Sequence, residues 1–303
     1  MRTMKANRIK ESLGDRVFSI GIGILIGLLL LITLYPLYFV IIASISDPLA
    51  VFSGEVYLWP KEITVYAYSL VWQNEDIWVG YRNTILYTIV GTAVNISITM
   101  TGAYALSRKK MFGRNVIMFI ITFTMFFNGG LIPTYLQVRN MGLYNTFWIM
   151  ILINAVGVYN LIVARTFMSN TIDEQLYEAA YIDGCSDARA FFNIVLPLSA
   201  PILAVLILFY GVGHWNQYFN ALIYLQDRSR IPLQLVLREI LLANITTSMT
   251  EQMELVEEDI SKYLVSESLK YAVIVVSSIP MLVLYPFLQK FFVKGIMVGA
   301  IKG

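Results

Sequence analysis

Apolar residues occur in long runs along this chain, and polar residues collect in the gaps between them. The runs cover residues 17–45, 84–106, 116–136, 147–164, 201–225 and 271–288, each close to the roughly 20 residues with which a helix crosses a bilayer core. Hydrocarbon gives a bare N–H or C=O no partner, so a spanning segment must satisfy its own backbone. A barrel would instead show stretches of about ten residues with alternating polarity, and the sequence has none. The pattern predicts an all-α, polytopic membrane protein with six transmembrane helices. A short segment, 1–16, precedes a membrane domain, 17–303, which is interrupted by two long polar loops at 171–200 and 226–270.

Composition agrees with that reading. Of 303 residues, 57% are hydrophobic and 14% charged, with a mean hydropathy of +0.66, whereas soluble domains carry about 25% charged residues. Arg2, Lys5, Arg8, Lys10 and Arg16 precede the first run. That run is too long for the 7–15-residue core of a signal peptide and has no small-x-small cleavage site after it, so it is expected to stay.

Charge sets the orientation. Five basic residues precede the first run, Arg108, Lys109, Lys110 and Arg114 follow the second, and Lys290, Lys294 and Lys302 lie in the tail. With six spans all of these fall on one side, which the positive-inside bias makes cytoplasmic together with both termini. The opposite side receives Lys61, Arg82, Arg139 and the 226–270 loop, where eight acidic residues outnumber five basic ones. Within that loop the stretch EQMELVEEDISK is expected to form a surface helix. The net charge of +2 comes from this side-to-side bias, and nucleic acid is not an expected partner.

Several function classes drop out. One cysteine, Cys185, and one histidine, His214, exclude an internal disulfide and any Cys- or His-rich metal site. The chain has no G-x-x-x-x-G-K-[ST] loop with which to cradle nucleotide phosphates. No Asp, Glu, Lys or Arg lies inside a span, whereas proton- or sodium-coupled carriers place such groups at membrane depth. Catalysis is not expected either, because the spans lack a carboxylate pair or a second histidine. What remains is a pathway or scaffold driven by another subunit, with a self-sufficient secondary transporter or channel as the alternative.

The 171–200 loop is the most informative segment. Thr171 and Glu174 have capping-box spacing, predicting a helix from about Ile172. Gly184 breaks it, and a second helix is expected after Ser186, with Asp187 in its first turn and Ala188, Phe191 or Phe192, and Val195 on one apolar face. Pro197 and Pro201 then redirect the chain. Two short helices exceed what a connector requires. Arg189 alone stands against Asp173, Glu174, Glu178, Asp183 and Asp187, a balance suited to a basic protein groove and poor for anionic lipid.

The loop also resembles a known family. Glu178-Ala179-Ala180, a three-residue gap, Gly184, nine residues and Ile194-Val195-Leu196-Pro197 are similar to the EAA loop of ABC importer permeases. The segments YRNTILYT, AYALSRKK, NGGLIPTYL, GLYNTFW, HWNQYFNAL and QKFFVKGIMVG resemble the carbohydrate-uptake branch, most of all its uronic-acid and complex-oligosaccharide subgroup. The resemblance implies a type I importer permease fold in a bacterial cell membrane. It also implies a second homologous permease, two ATP-binding-cassette ATPases and an extracytoplasmic sugar-binding protein. No cofactor is implied on this chain; ATP and Mg belong to the ATPase. Coupling is implied for Glu178, Ala179, Ala180, Asp183, Gly184, Ile194, Leu196 and Pro197. Cys185 stands where the family commonly has alanine and is expected to pack as a small apolar residue.

For the solute, the polar and aromatic group His214, Trp215, Asn216, Gln217 and Asn220 is the expected lining of a pathway. It lies roughly 20–29 Å along a helix rising from Pro201, and amide plus aromatic surface is what a sugar needs. Asn128, at the interruption Asn128-Gly129-Gly130 before Pro133, is a further candidate, because freed backbone at membrane depth is tolerated where it faces a cavity.

Overall fold

A computed structural model of the protein describes residues 12–250, 269–283 and 286. The tail beyond, the first eleven residues and the EQMELVEEDISK stretch lie outside the described residues. The chain divides into two compact units, Met1–Val71 with Met253–Val275, and Trp72–Gln252 with Val276–Gly303.

The first unit is dominated by α1, Leu13–Ser44. Its start is a capping box: Asp15 N–H donates to Ser12 Oγ at 3.1 Å and Ser12 N–H to Asp15 Oδ2 at 3.2 Å. Its most apolar stretch has no buried residue, as fits a helix whose surroundings are lipid. Only its C-terminal end is packed, where Ile42 and Ala43 meet Val51 and Val56. Asp47 caps α2 (Pro48–Phe52) by accepting from Leu49 N–H at 2.9 Å. The returning segment holds to the chain just past α1 through Asp47 N–H to Lys61 O and Thr64 N–H to Ile45 O.

The second unit is built around α4, Glu75–Ser107, which follows α3, Tyr66–Gln73. Against α4 pack α8 (Val158–Thr171), α11 (Ala200–Trp215) and α13 (Leu233–Thr250). Hydrophobicity cannot distinguish a neighbouring helix from lipid, so close approach and polar contacts decide the packing. Gly80 and Gly91 let Leu233 and His214 come up against α4. Asn83 Nδ2 donates to Ser229 O at 2.8 Å and Ile231 O at 3.0 Å, Tyr87 Oη to Arg230 O at 2.8 Å, and Leu233 N–H to Thr84 Oγ1 at 2.9 Å. Nearer the other end Met100, Ala103, Leu106, Leu161, Ala164, Met168, Ile202 and Leu206 form one buried cluster.

Several apolar runs are not single helices. The 116–136 run is α5, Arg114–Phe126, and α6, Leu131–Asn140, bent by 114°. Phe127 is extended, Gly130 has φ +80°, and Asn128 Oδ1 accepts Gly130 N–H at 3.0 Å. The 147–164 run contains a single turn, α7 (Ile149–Leu152), then non-helical chain before α8. Its freed groups are taken up by side chains: Asn95 Nδ2 donates to Asn154 O and Ala155 O, both at 2.8 Å, and Gly157 N–H donates to Tyr210 Oη at 3.1 Å. The 201–225 run is α11, a bend, and α12 (Phe219–Tyr224). At the bend Asn216 closes α11, its N–H at 3.1 Å and its Nδ2 at 3.0 Å both donating to Val212 O. The last helix described, α14, is Leu269–Val283.

Candidate functional site

The 171–200 loop folds as a helical hairpin. The expected start at Ile172 is corrected: α8 runs through Thr171, Ile172 is extended and buried, and α9 is Glu174–Ile182 with Asp173 as its cap. Ile172 belongs to the core cluster, which holds the chain extended there, and Asp173 Oδ1 then accepts Gln175 N–H at 3.2 Å. Gly184 ends α9 with φ +74°, a conformation that a side chain disfavours. Ser186 caps α10, Asp187–Leu198, accepting from Arg189 N–H at 3.4 Å. Pro197 lies near the end of α10; Ser199 then turns the chain by 81° into α11.

Two faces of this hairpin differ. Tyr177, Ala180, Ala190, Phe191 and Val195 are buried against α4 and α8. Glu178, Ala179, Asp183, Gly184 and Pro197 are exposed, with Ile194 and Leu196 half-buried. Ile182, at the tip, is 86% exposed, an apolar group left in the open beside acidic ones.

One cation fastens the hairpin to α4. The Arg108 guanidinium, just past the end of α4, lies 3.4 Å from the centre of the Tyr177 ring and 3.4 Å from Glu174 Oε1. It also donates to Tyr181 Oη at 3.4 Å, and Tyr181 donates to Asp187 Oδ1 across the Gly184 turn. The Asp187 hydrogen bond, with burial second, holds the Tyr181 phenol above its usual pKa, so it remains a donor at neutral pH.

At the far end of α11 a second polar system sits between helices. His214 is buried; its Nε2 meets Asn95 Oδ1 at 2.6 Å and its Nδ1 meets Gln217 Oε1 at 3.2 Å. Asn95 already donates its amide to two carbonyls, so its Oδ1 must accept and His214 Nε2 carries the hydrogen. Turning the Gln217 amide over lets Nε2, otherwise buried without a partner, donate to Nδ1. This network ties α4, α11 and the 153–157 break together.

Beside it opens a cavity of about 690 Å³ between α4, α11 and the 277–282 part of α14. Its polar lining is Thr88, Thr92, Trp215, Asn216, Gln234, Ser277 and Ser278, among aliphatic side chains. Thr88 Oγ1 and Thr92 Oγ1 are buried with no hydrogen-bond partner among the described residues, so their hydrogen-bonding capacity is unspent.

Residues 96–298 match the family model described as the binding-protein-dependent transport system inner membrane component. The chain belongs to that family. It is 38% identical over 289 residues to the polygalacturonan/rhamnogalacturonan transport system permease protein YtcP of Bacillus subtilis (strain 168), covering 95% of this chain and 99% of that one. To Protein LplC of the same organism it is 37% identical over 289 residues, covering 95% and 96%. A crystal structure of a bacterial ABC transporter involved in the import of the acidic polysaccharide alginate contains a chain that superposes with a TM-score of 0.85. That chain is 34% identical, with 94% of this chain and 99% of that one covered. The protein is therefore an ABC importer permease, a transport subunit and not an enzyme.

Within this permease the expected pathway residues separate. Trp215 and Asn216 line the cavity, Trp215 donating its indole N–H to Ser277 O at 3.2 Å. His214 faces α4 instead and Gln217 meets His214, Asn220 is half-buried in α12, and Asn128 sits in the turn between α5 and α6. Sequence reasoning missed Thr88, Thr92 and Gln234. The one available signal was the repeat of threonines at 84, 88 and 92, four residues apart on one side of α4.

Proposed function

We propose that this permease forms half of a transmembrane pathway for a sugar or oligosaccharide and couples it to a separate ATPase through residues 178–197. The observation that carries the reading is the hairpin, whose buried face is fixed to α4 while Glu178, Ala179, Asp183 and the apolar tip Ile182 stay exposed. An apolar group held out beside carboxylates suits a groove in another protein. A second, homologous permease completes the pathway, two ATP-binding-cassette subunits carrying ATP and Mg close beneath, and an extracytoplasmic binding protein delivers the solute. The chain crosses the membrane six times with both termini in the cytoplasm, α5 and α6 together serving as one broken span. The names of the relatives support acidic oligosaccharides as the first class to assay, and Trp215 with the unpartnered hydroxyls of Thr88 and Thr92 supports a neutral sugar-binding wall. Nucleotide state and the loaded binding protein then bias inward- and outward-open populations.

The test is Gly184→Pro in the assembled transporter. A proline cannot adopt φ +74°, so the hairpin loses its turn and ATP-driven uptake should be abolished while the protein still inserts. Uptake at the parental rate in this variant, or uptake that persists after ATP depletion, overturns the proposal.

A further inference from the structure

A second cavity, polar and about 570 Å³ in volume, lies where the ends of α4 and α8 meet the starts of α5 and α9. Four cations line it: Arg108, Lys109, Arg114 and Arg165. Two carboxylates share the wall, but both are committed, Glu174 to Arg108 and Asp173 to the cap of α9. Lys109 and Arg114 make no ion pair among the described residues, and Arg165 uses only its Nε, donated to Leu106 O at 3.3 Å. Three buried atoms in the wall, Arg108 Nη1, the Tyr177 hydroxyl and Glu174 Oε1, have no hydrogen-bond partner among the described residues, although Glu174 Oε1 is ion-paired with Arg108. Buried polar atoms are rarely left so, and a guanidinium with free N–H groups is shaped for a phosphate oxygen.

We propose that this cavity binds the phosphate of an anionic phospholipid headgroup. The surroundings favour lipid over free phosphate. Helix α5 leaves the cavity with none of its side chains buried, Phe119, Ile120, Phe123 and Phe126 all being exposed, which gives acyl chains a path alongside. In the connection from α4 to α5, Phe112 is 99% exposed between Lys110 and Arg114 in sequence, an aromatic and basic pairing suited to the membrane interface. The charge bias places this end of α4 at the cytoplasmic leaflet, where anionic headgroups meet basic clusters. The bound phosphate neutralises the excess charge and contacts the first turn of α9, so lipid occupancy stiffens the seat of the hairpin.

The test uses the full chain, assembled with the partners that copurify, in nanodiscs of phosphatidylcholine with graded phosphatidylglycerol, retained lipid being counted by native mass spectrometry. The parent should retain phosphatidylglycerol selectively. Lys109→Gln and Arg114→Gln, side chains without an internal hydrogen bond or ion pair, should each weaken retention about fivefold and together about 25-fold. Arg139→Gln, in the last turn of α6, should leave it unchanged. A thermal melt matching the parent checks that the variants are folded. Equal retention by parent and double variant, or equal retention of phosphatidylcholine, overturns the proposal. Displacement of the lipid by millimolar inorganic phosphate would reassign the cavity to a small anion and overturn the lipid assignment. The readout requires only the chain in a membrane, so it stands or fails separately from ATP coupling.

Discussion

Replacing Gly91 by alanine should break the contact between α4 and α11. A Cβ at Gly91 would lie 2.4 Å from His214 Nε2, 2.5 Å from Cε1 and 2.8 Å from Cδ2. Carbon contacts settle near 3.5–4.0 Å, so ring and helix must part by about 1 Å. The ring is not free to move, because Asn95 Oδ1 holds Nε2 at 2.6 Å. Parting stretches that hydrogen bond beyond use and strands an amide oxygen in the interior. Overpacking costs about 1–3 kcal/mol, and a stranded buried partner about 1–3 kcal/mol more. Alanine returns roughly 1 kcal/mol of helix propensity, leaving a net loss of about 1–5 kcal/mol. The assay is reversible unfolding in detergent of Gly91→Ala, His214→Ala and the pair. Removing the ring removes the clash, so in the His214→Ala background Gly91→Ala should be neutral or stabilising. The cycle should show a coupling of about 2 kcal/mol or more, against the roughly 0.5 kcal/mol within which independent sites add. Equal effects of Gly91→Ala in both backgrounds would refute the packing argument.

Two further outcomes are expected. Arg108→Leu removes the stack on Tyr177 and the pairing with Glu174, so in the assembled transporter solute moved per ATP should fall severalfold while ATPase activity persists. Arg108→Lys keeps the charge but not the planar stack and should recover part of the ratio; an unchanged ratio in Arg108→Leu removes the strut from the mechanism. Thr92→Val replaces a hydroxyl that has no partner among the described residues, so thermal stability should hold or rise slightly. Apparent solute affinity should drop about 2–10-fold, the value of one neutral hydrogen bond, and unaltered uptake kinetics would show that Thr92 does not face the solute.

What could be read from residues alone follows from which forces leave a local trace. The hairpin was legible because glycine at 184, serine at 186 and proline at 197 each impose a backbone state by their own covalent structure. Its start was misplaced because Thr171 and Asp173 are both acceptable caps, and the burial of Ile172, a tertiary effect, chose between them. The breaks within residues 147–164 and 201–225 were missed for a related reason. Asn154 and Ala155 leave the helical ladder because Asn95, some 60 positions away, supplies the hydrogen bonds, and nothing near 154 announces it. His214 looked like pathway lining since polarity at depth suggests function. Its ring is turned toward α4 by partners that only the fold brings together.

These contacts give α4 a role that its apolar sequence does not advertise. At one end it meets the hairpin through Tyr104 against Phe191, ring centres 5.3 Å apart, and through Arg108 on Tyr177. Further along, Thr99 Oγ1 meets Tyr210 Oη at 2.7 Å and Asn95 meets His214 at 2.6 Å, so α11 is pinned to it twice. Between and beyond these pins Thr88, Thr92 and Ala93 form one wall of the larger cavity. On the proposed coupling, a displacement of the hairpin has two routes to the cavity, along the chain through Pro197 into α11 and across the side chains into α4. Because both routes meet at His214 and Tyr210, α4 and α11 must move together or lose buried hydrogen bonds worth about 1 kcal/mol or more each. A pair of helices locked in this way behaves as one rigid lever, which is the mechanical property required to turn a push on a surface loop into a change of cavity shape.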